Sequence, residues 1–430
     1  MKKIISLLLI LAIVPSIFGI TAFAENRSVK GEDLIEDPDL IIHENYFPKD
    51  YIGYRYPVLP GTSEWPYGDH QKMVDACQIL ETVYQNMTTE ELSQTILAYP
   101  LNADMFAYNS SKMGFSIVKE HFDGLQEFCD RTDSASYLID LYSKQELVME
   151  SDLDEATLQA FESNDSIATT EIGKKACRQI FNTMAISLLL TQDEFTEKMT
   201  PLDKLNLANI IYDRSAIVSQ ELKESESEIN DPTRAGTPVS YFCYYGLSYV
   251  SSSTVKTPKG GSMGGCIYNA LEVWLYSDGS LDIRELPDLS NDATTAFNTE
   301  NFNIYGLNPI TGSGPTVKYN CHSYAWYKQT APEYWINKFS TYGYTLKTLQ
   351  SVSDGGIAVY HSNTESSSVP MHSAIITYKF VLQNTVIDLI LTSKWGSSGL
   401  YLHTLANCPY YYIFYIPMVG PQPCYMKYYN

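Results

Sequence analysis

Basic side chains are scarce in this 430-residue chain, where 29 Lys and Arg stand against 50 Asp and Glu for a net charge of -21. Binding to a phosphate backbone needs many basic contacts, so the shortage excludes non-specific nucleic-acid binding. Histidine is scarcer still, at seven residues. The set Cys321, His361, His372 and His403 matches no recognised ligand spacing, and neither a metal nor a cofactor is expected. Long apolar runs are missing after Ala24. Tyr410 to Met418 is short and tyrosine-rich, so no later membrane span is expected. No internal repeat period is found.

What is present begins with Met1-Lys2-Lys3, an apolar run from Ile4 and the small-residue end Ala22-Phe23-Ala24, the three parts of a secretory signal. The mature chain is expected to start at Glu25, soluble and exported, in a bacterial style of signal, with no cysteine just after the cut to take a lipid. The remainder is too long for one ordinary domain. From Thr237 to Asn430 there are 10 basic and 11 acidic residues, against 17 and 39 from Glu25 to Gly236. That asymmetry marks a change of module at the charged, apolar-poor run 223–236, read as a linker.

Residues 25–222 read as an acidic α-helical module of about six or seven helices, entered by a Pro-, Gly- and Tyr-rich extended arm from Phe47 to Gly61. Thr88-Thr89-Glu90-Glu91 is a capping box and Thr200-Pro201 a second start. Further helical spacing runs through Cys77 to Tyr84, Phe115 to Cys129, Ser136 to Tyr142 and Ile172 to Leu190. Residues 237–430 turn to short β-type runs, at Val239 to Tyr245, Val273 to Tyr276 and Ile357 to Tyr360, with Cys321 to Gln329 as the clearest helix. A helix followed by antiparallel strands predicts an α+β domain.

The chemistry centres on Asn320-Cys321-His322-Ser323-Tyr324-Ala325-Trp326. An Asn in capping position followed by a Cys at the first helical residue puts a thiol where a thiolate is stabilised. About fifty residues on, Met371-His372-Ser373-Ala374-Ile375-Ile376-Thr377 reads as a buried strand opening with a histidine, the base such a thiol needs. Cysteine hydrolase chemistry is the expectation.

Asn320-Cys321-His322-Ser323-Tyr324-Ala325, Gly355-Gly356-Ile357-Ala358-Val359-Tyr360, His372-Ser373-Ala374-Ile375-Ile376 and Ser393-Lys394-Trp395-Gly396 together resemble the papain-like core of the NlpC-like cell-wall cysteine peptidases and their CHAP amidase relatives. The likeness covers about 310–430. It implies a small antiparallel sheet, Cys321 as nucleophile, His372 as base, and peptidoglycan cut in the stem peptide or at the sugar–peptide amide. The helical half resembles a module of secreted Gram-positive proteins for which no activity is carried over. Those families usually place Asp or Glu where this chain has Asn320, Gly-Asp where it has Gly355-Gly356, and a polar third residue just before Trp395. Ser393 is the candidate to orient His372, with His403 as its rival. Asn320, His322, Lys394 and Trp395 are candidates for the oxyanion or substrate side, although a solvated or structurally paired Lys394 and a structural His322 are the plainer expectations. His361 is expected to be solvated.

Eight cysteines in an exported chain are compatible with disulfides. Cys408–Cys424 and Cys243–Cys266 are the candidate pairs, while Cys77, Cys129 and Cys177 sit in helical apolar patterns as reduced thiols do. Two alternatives stay open: a thiol acyltransferase or protease on non-wall protein, and a secreted binding protein whose core has lost activity.

Overall fold

The computed structural model describes residues 46–210 and 246–430, apart from 146–147, 149–151, 162–166, 208, 276–280, 287, 290, 311, 331, 362–369, 384, 412–413 and 417–419; before 46, only 39 and 42 are described. Met1–Ile41 and Ile42–Asn430 are separate units, and the elements below all belong to the second.

Capping chemistry sets the first half. The helices are α1 (His70–Ala76), α2 (Glu81–Tyr84), α3 (Thr89–Leu97), α4 (Asp104–Ala107), α5 (Ser111–His121), α6 (Asp123–Asp130), α7 (Ser134–Lys144), α8 (Glu155–Phe161), α9 (Glu171–Leu190) and α10 (Asp193–Thr196). Thr88 and Glu91 form the reciprocal capping box expected at α3. Thr200 and Asp203 exchange the same bonds ahead of a helical run at 201–207. The stretch expected as one helix from Phe115 to Cys129 breaks at Phe122, whose extended φ and ψ end α5 and start α6. The arm from Phe47 to Gly61 is non-helical and sinks Tyr56 and Leu59 into the core.

In the second half come β1 (Gly246–Lys256), β2 (Ser262–Leu275), β3 (Leu281–Leu286), α11 (Asn291–Tyr305) and α12 (Cys321–Trp326). They are followed by β4 (Leu346–Lys347), β5 (Ile357–His361), β6 (Pro370–Leu382), β7 (Thr385–Lys394), β8 (Leu400–Thr404), β9 (Phe414–Ile416), β10 (Gly420–Gln422) and β11 (Tyr425–Tyr429). Strands β1 to β3 form one antiparallel sheet; β4-β11-β5-β6-β7-β8 form a six-stranded antiparallel sheet. The class is α+β, as the sequence predicts. The strand expected from Val239 to Tyr245 and the linker 223–236 lie outside the described residues.

Side chains alternate across the large sheet. Ile357, Val359 and Ile375 pack with Tyr324 and Trp326 of α12. Ala358, Tyr360, Ala374 and Ile376 point the other way, into a core shared with Leu92, Phe106, Leu125, Phe181 and Leu189. The two halves, expected to be separable, therefore share one hydrophobic core. The physical reason is that the sheet is apolar on both faces and α12 covers only one. Helix α9, buried along nearly its whole C-terminal half, packs on α11 with the Phe181 and Phe297 rings edge to face. Arg178 of α9 pairs with Glu300 of α11 at 3.5 Å. The Trp65 indole, just after the arm, donates to the Ile304 carbonyl at 2.7 Å and so ties this part of the chain to the same helix.

Candidate active site

Helix α12 is only six residues long, and Asn320 starts it. Its Oδ1 accepts from the N–H groups of Ser323 (3.0 Å) and Ile336 (3.2 Å), while its Nδ2 donates to the Ile336 carbonyl (3.0 Å). A carboxylate accepts but cannot donate, so this buried cap calls for an amide rather than an acid. Asn320 is thus placed as a cap rather than at an oxyanion. His322 points onto β6, its Nδ1 2.8 Å from the Ser373 hydroxyl, which also accepts from the Trp326 indole at 3.0 Å. These bonds dock α12 on the strand. Burial pulls His322 down to about 4, so it is a neutral structural residue at neutral pH.

The Cys321 sulfur lies where two strands part. Strands β6 and β7 pair from Ile375 and Thr392 inward, which leaves the Ser373 N–H free of that ladder to hydrogen-bond the sulfur. The Asn109 amide stands over the same atom, with Nδ2 at 3.6 Å and Oδ1 at 3.8 Å, and Nδ2 also donates to the Met371 carbonyl at 3.2 Å. The thiol is fully buried, and burial pushes it up to about 11 against the pull of the Ser373 N–H, the Asn109 amide and the His322 N–H. The thiolate expected at a helix start is not favoured here, because desolvation of the anion outweighs the small dipole of a six-residue helix.

His372 is also fully buried but faces the other way. Ser373 takes the α12 side of β6, so alternation turns His372 to the opposite face, beside its cross-strand partner Tyr360. Its ring stacks on Tyr410 at 4.1 Å between centroids. Neither ring nitrogen has a hydrogen-bond partner, Cys321 included. Burial first, then His403 and His322, hold it well below the ordinary histidine value.

Ser393 and His403, the rivals for orienting His372, are bonded to each other instead: Oγ to Nε2 is 2.6 Å, and the Trp395 indole donates to the same Oγ at 3.2 Å. Ser393 is not bonded to His372, whose ring nitrogens have no partner, because its hydroxyl is taken by His403 of the neighbouring strand β8. Lys394, expected to be solvated or paired, is fully buried and donates to the carbonyls of Thr316 (3.1 Å), Gly396 (2.7 Å) and Ser398. Burial draws it down to about 7. It clamps the β7–β8 turn, and its charge also acts on the Cys321 sulfur. Trp395 is buried edge to face on Tyr305. His361 is buried rather than solvated, since β5 carries it under Tyr425. Cys408 and Cys424 are buried, unbridged thiols, and Cys266 is unbridged; Cys243 lies outside the described residues.

Asn109 is the residue that sequence reasoning misses. It sits 212 positions before Cys321 and is delivered by packing: Gly396, at φ +46, lies so close that a Cβ there would meet the Tyr108 carbonyl at 2.3 Å. The Tyr108 and Tyr410 hydroxyls donate across the same seam, to Pro409 at 2.9 Å and to Ala107 at 3.0 Å. Among the described residues, two histidines and a cysteine are placed to hold a metal: one ligand atom each from His372, His403 and Cys408 lies within 4.8 Å of the others. Cys321 and His361, in the set read from sequence, are not part of that group, and Cys408 is.

No family model matches the chain, and no curated protein or solved structure does so either.

Proposed function

We propose that this chain is a secreted cysteine hydrolase cleaving amide bonds, with peptidoglycan as substrate and a papain-like core at about 310–430. The observation that carries the reading is the convergence of two N–H donors, from the Ser373 main chain and the Asn109 amide, on a cysteine at a helix start. A carbonyl attacked by that sulfur brings its oxygen within reach of the same donors, which is what stabilises an oxyanion.

On this reading the geometry above is a closed resting form, with thiol and imidazole both neutral. The cycle begins with entry of the carbonyl at the half-buried edge, where the Asn109 Nδ2 turns from the sulfur to the carbonyl oxygen, and with a shift at the start of β6 that carries the His372 imidazole to the sulfur. Sγ bonds to the carbonyl carbon as its proton passes to the imidazole. The imidazolium gives that proton to the leaving amine as the C–N bond breaks. Water, losing a proton to the same imidazole, then hydrolyses the thioester and frees the thiol and the acid. The orientation of His372 away from the sulfur, with no Asp, Glu, Asn or Gln bonded to its ring, favours a second reading: a binding protein whose core performs no chemistry.

The test is an assay of the mature protein on purified peptidoglycan, with products read by mass spectrometry. New amines or stem fragments are expected from the wild type and from Cys77→Ser, and none from Cys321→Ser. Cleavage of protein substrates without any wall product moves the target to non-wall protein. No cleavage of either substrate leaves the binding reading.

A further inference from the structure

We propose that His372, His403 and Cys408 bind a thiophilic divalent cation, zinc being the natural occupant by donor chemistry. Their ligand atoms converge to within 4.8 Å from β6, β8 and the turn after β8, and all three residues are buried. A tetrahedral zinc ion, with bonds of about 2.0–2.3 Å, sets its ligand atoms roughly 3.5 Å apart, so the group has about 1 Å to close. Two features point to a ligand rather than a plain core. His372 has no partner at either ring nitrogen although it is fully buried, and an unsatisfied buried polar group is costly. His403 Nδ1 lies 2.8 Å from the Thr404 carbonyl, which fixes the proton there and leaves Nε2 as the lone pair, the orientation seen in metal-bound histidines.

That lone pair now accepts from the Ser393 hydroxyl. A cation displaces the hydroxyl, which keeps the Trp395 indole N–H as its own partner. Cys408 sits in a turn closed by its N–H on Leu405 and by Tyr411 on its carbonyl, so its side chain can move without disturbing a strand. Binding forms a metal–sulfur bond and releases the thiol proton to solvent. Two imidazoles and a thiolate suit zinc, cobalt or cadmium and not magnesium or calcium. The cation takes up the lone pair of His372, which makes it an inhibitor of hydrolysis; that consequence, unlike the binding, rests on the function proposed above.

The test uses the mature protein, kept reduced with a phosphine, and cobalt(II) alone. One equivalent is expected to give a thiolate-to-cobalt charge-transfer band that zinc abolishes, with the band lost in Cys408→Ser and affinity down at least about tenfold in His403→Gln. Cys77→Ser and Cys321→Ser keep the band. Far-ultraviolet circular dichroism checks that each variant is folded. A folded wild type without the band, or a band that survives in Cys408→Ser, overturns the site and leaves the hydrolase proposal where it stood. Zinc binding with undiminished wall cleavage would retain the site and remove His372 as the base.

Discussion

At the scale of single residues, the sulfur of Cys321 is governed by competition between desolvation and three N–H donors, and desolvation wins, taking the thiol up to about 11. Two barriers to reaction with an alkylating reagent follow: little thiolate at neutral pH and no path to the sulfur. Iodoacetamide at pH 7 is therefore expected to label native Cys321 at least tenfold more slowly than an ordinary exposed thiol, since the rate follows thiolate fraction and access. Asn109→Ala removes the half-buried cover and should speed labelling, while Asn86→Ala, at an exposed side chain bonded to the Thr82 carbonyl, should not. Peptide mapping of the labelled protein checks both, and equal rates in wild type and Asn109→Ala would remove Asn109 from its place over the thiol. The thiol itself was legible in the sequence, because a capping Asn, a Cys and an apolar run describe a helix start without reference to anything else. Asn109 was not, since nothing local distinguishes it and it is brought there by distant contacts at Gly396, Tyr410 and Met371.

At the scale of elements, the docking of α12 on β6 decides which side of the sheet each residue serves. The sequence identified the strand and its histidine, yet alternation alone cannot say which face a distant helix will cover; Ser373 took that face and His372 the other. The same docking has a pH signature. His322 is held at about 4 by burial, against 6.5 ordinarily. The native state thus keeps it unprotonated where the unfolded chain takes a proton, so its contribution is intact above about pH 6.5 and is lost as pH falls toward 4. The linked loss is on the order of 3 kcal/mol for this residue. Chemical denaturation between pH 7 and 4 should show stability falling with acid, and His322→Gln, which does not titrate, should flatten that slope even if it is less stable at pH 7. An unchanged slope would assign the acid sensitivity to other groups.

At the scale of the whole molecule, composition and packing point in different directions. Charge asymmetry located a module change at 223–236, a run too poor in apolar residues to build a core. The residues on either side nevertheless join one core: Phe106 and Phe181 from the first half meet Phe297 from the second at 5.3 and 5.8 Å between ring centroids. The Asp104 carboxylate holds both His70 at 2.8 Å and the Tyr305 hydroxyl. Sequence could not reveal this, because a sheet apolar on both faces looks the same whether its second face meets its own domain or another. Limited proteolysis should thus cut within 223–236 first, and the two fragments should remain together. Each carries core side chains that water would otherwise meet, and burial of one Phe or Leu is worth about 1.5–3 kcal/mol. Co-elution of both fragments in native size-exclusion chromatography, followed by their separation only in denaturant, is the expected result. Fragments that part in native buffer and keep their secondary structure would mean that the helical half folds independently of the sheet, and that Asn109 reaches Cys321 by docking between two domains rather than from within one.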